Sequence, residues 1–380
     1  MNTGPPWTST AAAPPAQKAD FKPEITIIGG GPAACFLALH LGRAGVAVQM
    51  CIRETNLLAG HVSHSLPKVT LGLTDSLARL IHGIGQEKSH FILDLGLQSR
   101  TLWSELNAFD TLGGFHIATD SQEAIEIQES LGVLQQHGGW QAEAKETRFG
   151  TAYRSPLEGM VNLSAARAAL MATLTDIGVQ LSFNTMVTAV DTMSDGSLIL
   201  RGPQPSTTTE LVVYAEGWQN GALDPFLESV LTPVREQWVA YPWDQPLANH
   251  RIQYGYQYWG TAENHLLYGG CRWGSMHFEV GETEPTCHPS IHTHLTRLAT
   301  QRYPQLTRPS HAWATIMTHS CDSLPLIGAL PGSGNQLCCV AFQGHSCALA
   351  PALAKRLATV ILEGESPTLP HWLRPHRLKL

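Results

Sequence analysis

Ile25-Thr-Ile-Ile-Gly-Gly-Gly-Pro-Ala-Ala-Cys35, running on to Val46-Ala-Val-Gln-Met-Cys-Ile52, decides the fold of this 380-residue chain. An isoleucine-rich run makes a strand, Gly29 bends it, Pro32 opens a helix, and an apolar strand returns after Gly45. The turn fits G-x-G-x-x-A, with Gly29 for the tight bend, Gly31 so that backbone can approach a pyrophosphate, and Ala34 for close helix-to-strand packing. Pro32 and Ala33 begin the helix, whose free N–H groups and positive dipole end would meet the diphosphate. Ala34, Ala38 and Leu41 form its sheet-facing stripe. An acidic residue at the end of the second strand would hold the ribose hydroxyls; by spacing that position is Ile52, followed by Arg53 and Glu54. Either the strand end is displaced toward Arg53 and Glu54, or the ribose is held another way.

With 43% hydrophobic and only 14% charged residues the chain can bury a large core, and its length suggests two or three domains. A formal charge of −7 argues against a nucleic-acid surface or a basic membrane patch, so neither partner is expected. No uncharged apolar run reaches membrane-spanning length. Residues 1–22 are rich in Pro, Ala and Thr and lack a basic or apolar signal segment, which predicts a disordered tail. The eight cysteines form no C-x-x-C pair and most lie in apolar runs, the pattern of buried thiols in a reducing cytoplasm. Cys287, His288, His292 and His294 are the best metal-ligand group, but Ile291, Leu295 and Leu298 already explain that helix, and no metal is expected.

The loop 59–68 would leave the carboxyl edge of the sheet beside the cofactor, which makes His61, Ser63 and His64 candidate contacts. A long helical region runs through Leu80, Ile84, Phe91 and Leu95; residues 113–118 read as a strand, and Ser121–Gln136 as a helix capped by Ser121. A helix from Ser164 stops at Gly178, and residues 179–183, 186–191, 197–200 and 211–215 read as strands, the last three antiparallel. Residues 238–241, 252–259 and 266–270 are aromatic and alternating, which predicts an antiparallel sheet with its aromatics on one face. After a helix over Pro289–Arg302 come Asp322 to Gly328, a buried strand over 337–342, and Gly344-His-Ser346 opening a helix with a second anion-favouring terminus.

Taken in this order, the residues resemble the FAD-dependent oxidoreductases of the D-amino-acid oxidase, glycine oxidase and sarcosine oxidase type over nearly the whole chain after Lys22. The stretch from Gly29 to Ala34 is similar to their FAD pyrophosphate turn, and Met186-Val187 lies where a strand beside the adenine is expected. Ala215-Glu-Gly217 is similar to their alanine-x-glycine motif, and Pro233-Val-Arg-Glu-Gln237 to their approach to the substrate sheet. Asp322-x-x-Pro325-x-x-Gly328 with Gly344, His345 and Ser346 is similar to their flavin-side ending. The resemblance implies an α/β fold of two domains, glutathione-reductase-like: a Rossmann-type FAD-binding domain and a substrate domain whose antiparallel β-sheet covers the flavin's reactive face. It sets FAD-binding segments at 23–100, 156–234 and 313–380, and substrate segments at 101–155 and 235–312. It also implies non-covalent FAD, since the position of the covalent cysteine holds Thr315.

Amino-acid oxidases of this type grip the substrate carboxylate with an arginine five residues before the aspartate that matches Asp322; here that residue is Met317. Sarcosine oxidases use a lysine after the Gly-His pair, and the matching residue is Ala348. The remaining cation, Arg272, matches a lysine that assists oxygen reduction over the flavin. The resemblance therefore makes Arg272, His345 and Met317 the catalytic-site candidates. It implies an oxidase moving hydride from the C–H bond beside an amine nitrogen to flavin N5, with oxygen as acceptor. With both clamps missing, the small-molecule substrate is expected to be a bulky or aromatic amine or a biosynthetic amino-acid derivative. A flavin monooxygenase or dehydrogenase acting on a non-amine substrate would use the same fold, as would a non-catalytic flavin-binding protein, and the oligomeric state is open.

Overall fold

The computed structural model describes residues 2–7, 21–73, 76–137, 139–272 and 276–378. The chain divides into two compact units, the first Met1–Thr8, His64–Asn162 and Val234–Ile316, the second Ser9–Ser63, Leu163–Pro233 and Met317–Leu380. The second unit opens with β1 (Ile25–Ile28), α1 (Pro32–Arg43) and β2 (Val48–Cys51). The chain then builds β3 (Lys68–Val69), α2 (Leu77–Ile84), α3 (Gln86–Glu105), β4 (Phe109–Asp110), β5 (Gly114–Ile117), α4 (Ser121–Gln136), β6 (Glu143–Thr147), β7 (Gly150–Ser155) and β8 (Gly159–Val161) of the first unit. It returns with α5 (Leu163–Asp176), β9 (Gln180–Ser182), β10 (Ala189–Thr192), β11 (Leu198–Arg201), β12 (Thr207–Thr209), β13 (Leu211–Tyr214) and α6 (Pro225–Val230). Next come β14 (Leu231–Pro242), β15 (Asn249–Ile252), β16 (Gln257–Ala262), β17 (His265–Gly270), α7 (Met276–Glu279) and α8 (Pro289–Arg302). The chain closes with β18 (His311–Ser320), β19 (Leu326–Ala329), β20 (Gln336–Val340) and α9 (Ser346–Glu363).

The second unit is built on a six-stranded sheet in the order β19-β20-β13-β1-β2-β9, parallel except where β19 meets β20. Its central strand is apolar because both faces are covered: α1 buries Phe36, Leu37 and Leu41 completely, each worth about 1.5–3 kcal/mol. Residues 211–215, expected as an antiparallel strand, instead form β13, parallel to β1 with Ile28 opposite Tyr214. The antiparallel partner that follows β10 and β11 is β12, a Thr-rich strand with no apolar alternation to announce it.

The first unit carries an eight-stranded sheet in the order β18-β14-β17-β16-β15-β5-β7-β6. Aromatics occupy both of its faces rather than one. Tyr241, Trp259 and Tyr268 pack with Ile291, Leu295 and Ala299 of α8, while Trp238, Tyr258 and Trp313 pack with Leu66 and Met160. The expected single strand 252–259 is a hairpin, because Gln253, Tyr254 and Gly255 all take positive φ (49°, 55° and 77°) and turn the chain. The helical region breaks at Gly85, φ 87°, and α4 is capped by Asp120, whose carboxylate accepts the Glu123 N–H at 2.8 Å, not by Ser121.

The segment boundaries differ from the sequence reading, most at two places. Residues 64–100 belong to the first unit, since α2 packs on α4 and α3 packs on β3 and β4. Within the expected tail, residues 2–7 are docked: Asn2 bridges β18 at His311, and Trp7 stacks edge-on to Trp313 with centroids 6.2 Å apart. Residues 8–20 of that tail lie outside the described residues.

Buried histidines set an acid limit. Burial lowers His250 to about 4 and also lowers His116; burial, with Lys355 and Arg43 adding to it, lowers His40 to about 4. The unfolded chain takes up these protons near pH 6.5 and the folded chain does not. Stability therefore falls as pH drops from about 6.5 toward about 4, at about 1.4 kcal/mol per pH unit for His250 alone. Denaturant midpoints measured across that window should decline steadily, and a flat profile would contradict the assignment.

Candidate functional site

The glycine turn of the second unit has the geometry that suits an anion. Gly29 takes φ 133°, and a Cβ there would lie 2.6 Å from the Ala215 oxygen, so no side chain fits. Gly31 differs: its φ is −79°, and a Cβ would meet nothing within 4 Å. That gap opens beside the first turn of α1, where no side chain caps the helix. The N–H groups of Ala33 and Ala34 have no acceptor among the described residues, although both residues are buried. Buried orphan donors at a helix start, with open space beside the glycine, suit a diphosphate. Pro32 stands at the N-terminus of α1 and Ala34 is fully buried, as the motif requires.

Beyond the turn, Ile52 is completely buried and its Cγ2 occupies the space against Gly30, 2.7 Å from where a Cβ would be. It offers no hydrogen bond to a ribose. Arg53 turns instead to Glu216, the middle residue of the Ala215–Gly217 motif, with Nε to Oε1 at 2.5 Å and Nη2 to Oε2 at 3.3 Å. The Glu216 and Gly217 N–H groups donate to Asn220 Oδ1 at 2.8 and 3.2 Å, which fixes the loop. The Glu54 carboxylate lies near Gly60, and burial raises its pKa. Val187 is buried, and its N–H has no acceptor among the described residues, whereas Thr185 and Thr188 donate to Ile52 and Arg201. An unused backbone donor there suits a purine edge. In the loop that follows β2, Ser63 Oγ is within 2.8 Å of Ala59 O and 2.9 Å of Gly60 O, so it serves the turn; His61 and His64 bound that 3₁₀ turn.

At the chain's end, Ala341, Gln343 and Gly344 all take positive φ. This tight loop delivers His345 to the start of α9 at Ser346. His345 is buried, and its Nδ1 donates to Gln343 O at 3.0 Å, which assigns the proton to that nitrogen. Met317 is buried with its sulfur 3.0 Å from the position of a Gly344 Cβ, and Ala348 is fully buried. Gly328, φ 122°, lies in β19. Asp322 is engaged by Arg377 at 2.7 and 2.9 Å.

In the first unit, Arg235 and Gln237 hold Glu279, at 3.1 and 2.9 Å, so those motif residues are structural. Between them Glu236 points its carboxylate at the opposite face of β14, where it accepts from Trp238 Nε1 at 3.0 Å and from the Tyr258 hydroxyl. The Lys68 ammonium sits 4.3 Å from the Tyr258 ring centroid. Burial pushes the Glu236 carboxyl up, against the pull of Lys68, Arg272 and the Trp238 bond. Arg272, half-buried, lies over Tyr256 at 5.3 Å and makes no ion pair among the described residues; Trp273 and Gly274 beside it lie outside them. Sequence reasoning missed Glu216 and Glu236 because each fills the variable position of a motif. The signal was an acid where these motifs place no charge.

Residues 24–360 match the family model described as FAD dependent oxidoreductase, DAO. Among curated proteins the chain is similar to the mitochondrial dimethylglycine dehydrogenase of Rattus norvegicus, 22% identical over 380 residues that cover 90% of this chain. That stretch is 43% of the relative, so the chain spans less than half the length of the curated protein it matches. Among solved structures it is similar to L-proline dehydrogenase from P. horikoshii, with TM-score 0.78 at 18% identity, covering 94% of this chain and 97% of that one. It is equally similar to glycine oxidase from Geobacillus kaustophilus, with TM-score 0.78 at 18% identity, covering 94% and 100%. These likenesses carry the fold, and the donors at the Gly29 turn suit the cofactor such enzymes use. By the match over most of its length, the chain belongs to the DAO family of FAD-dependent oxidoreductases.

Proposed function

We propose that this enzyme oxidises a bulky or aromatic amine, or a biosynthetic amino-acid derivative, and passes the electrons to oxygen. The observation that carries the reading is the apolar side chain of Met317, buried against Gly344 where an amino-acid oxidase of this family would present a carboxylate-gripping arginine. Ala348 leaves the second clamp position equally apolar. Bound FAD supplies a two-electron acceptor for a hydride from the carbon beside the amine nitrogen. Ala33, Ala34, Val187, Gly217, Gly344 and Ser346 are the residues whose backbone would hold it. Because the nitrogen lone pair forms the new C=N bond as hydride leaves, the amine must first lose its ammonium proton.

Glu236 is the group in the first unit suited to take that proton. It works only when ionised, and burial raises its pKa, so flavin reduction by the amine should slow as pH falls through a value above the ordinary carboxylate range. Glu236→Gln should reduce the anaerobic reduction rate by about 100-fold and remove that acid limb. A variant with the wild-type rate and limb would exclude the role. Arg272 would meet a substrate anion or the charge that develops on oxygen. Arg272→Ala should raise KM or slow reoxidation, and a variant with neither change excludes it. In air, one hydrogen peroxide per amine oxidised is expected; turnover only with an artificial dye would rule out oxygen as acceptor.

A further inference from the structure

We propose that Glu216, held by Arg53, replaces the missing acid of β2 and binds the hydroxyls of the adenosine ribose. The inference rests on FAD as cofactor and concerns how this chain grips it. Ile28 of β1 pairs with Cys51 on one side and Tyr214 on the other, so Arg53 and Glu216 both stand two residues past their strand ends. The ion pair therefore spans the exit of β1, directly over the glycine turn. Two sets of buried orphan donors flank it. Ala33 and Ala34 at the start of α1 suit the diphosphate, and Val187 suits the adenine. Arg53 Nη1 reaches Met186 Sδ at 3.5 Å, next to Val187, while its Nε and Nη2 reach Glu216. A ribose joining phosphate to adenine has to cross this pair.

The chemistry at the crossing selects a hydroxyl donor. A carboxylate has about four lone-pair sites and Arg53 uses one on each oxygen, which leaves acceptors for a vicinal diol. A phosphate would be repelled there. The Glu216 side chain is 6% exposed, so it is already desolvated, and the Asn220 clamp on its backbone limits where it can go. Ile52 in turn fills the space of the usual acid with a methyl group against Gly30. Glu54 is the competing carboxylate, but it lies against Gly60 and is not gripped by Arg53.

The test is the affinity of the apoprotein for FAD and for FAD whose adenosine ribose lacks the 2′-hydroxyl, both read by fluorescence titration. Wild type should prefer FAD by about tenfold or more, the range of one hydrogen bond to a charged group. Glu216→Gln and Glu216→Ala should reduce the preference to about threefold or less, and Glu54→Gln should keep it. The ratio is taken within one protein, so a general loss of folding cancels. Arg53→Met should weaken FAD binding and reduce the preference as well. A preference that survives in both Glu216 variants, or disappears in Glu54→Gln instead, overturns the assignment. Wild type that binds both flavins equally overturns it while leaving FAD as cofactor intact; wild type that binds neither removes the premise itself.

Discussion

Gly29→Val should yield a colourless protein whose second unit is destabilised by about 4 kcal/mol. At φ 133° the backbone lies in a region open essentially to glycine, at a cost of about 1–3 kcal/mol for any other residue. The added Cβ would also press on the Ala215 oxygen and carbon at 2.6 and 2.7 Å and on the Glu216 nitrogen at 3.0 Å. Those atoms are backbone and cannot rotate away, since Ala215 N–H is bonded to Ile28 O and Gly29 N–H to Cys51 O. Overpacking adds about 1–3 kcal/mol, for a total near 4 kcal/mol against a typical domain stability of about 5–15 kcal/mol. Gly31→Ala separates stability from binding. Its φ is ordinary and the methyl group enters open space, so the melting temperature should move by under about 2 °C while FAD affinity falls by about tenfold or more. Equal loss of stability in the two variants would show that the two glycines do not divide the work this way.

Glu158→Ala should lower the melting temperature of the first unit by on the order of 10 °C. Glu158 accepts from Arg251 Nη1 at 2.7 Å, Arg251 Nη2 at 3.0 Å and the Leu71 N–H at 3.1 Å, and Arg251 Nη2 also donates to the Tyr153 hydroxyl at 2.8 Å. Both charged side chains are almost wholly buried. Removing the carboxylate strands a guanidinium in the sheet between β15 and β7, which costs about 3–5 kcal/mol. Replacing both partners with Leu and Met should recover a large part, because the cost lies in the unpaired charge rather than in losing the pair. Calorimetry of the single and double variants checks this. A shift under about 2 °C for Glu158→Ala would contradict it.

The contrast between these residues shows what the sequence could say. Gly29, Gly31, Pro32 and Ala34 were legible because the turn is local and each residue type answers a local demand of backbone angle or close packing. The helix Pro289–Arg302 was legible for the same reason, from its 3.6-residue period. Strand β13 was misjudged because its parallel partners, β1 and β20, are set by pairing across more than 100 residues. The β15–β16 hairpin was hidden because Gln253 and Tyr254, beside Gly255, also adopt an angle usually given to glycine. Arg272, Met317 and His345 were proposed from a family pattern, whereas Glu216, Glu236 and Lys68 acquire meaning only from the neighbours that folding brings to them.

Anaerobic titration of the yellow protein with single amines tests the central claim most directly. Bulky, N-alkylated or aromatic amines should bleach the visible flavin band, while glycine, sarcosine and alanine should leave it unchanged at concentrations that saturate the larger amines. Bleaching by the three small amino acids at comparable concentration, or by no amine at all, would contradict the account.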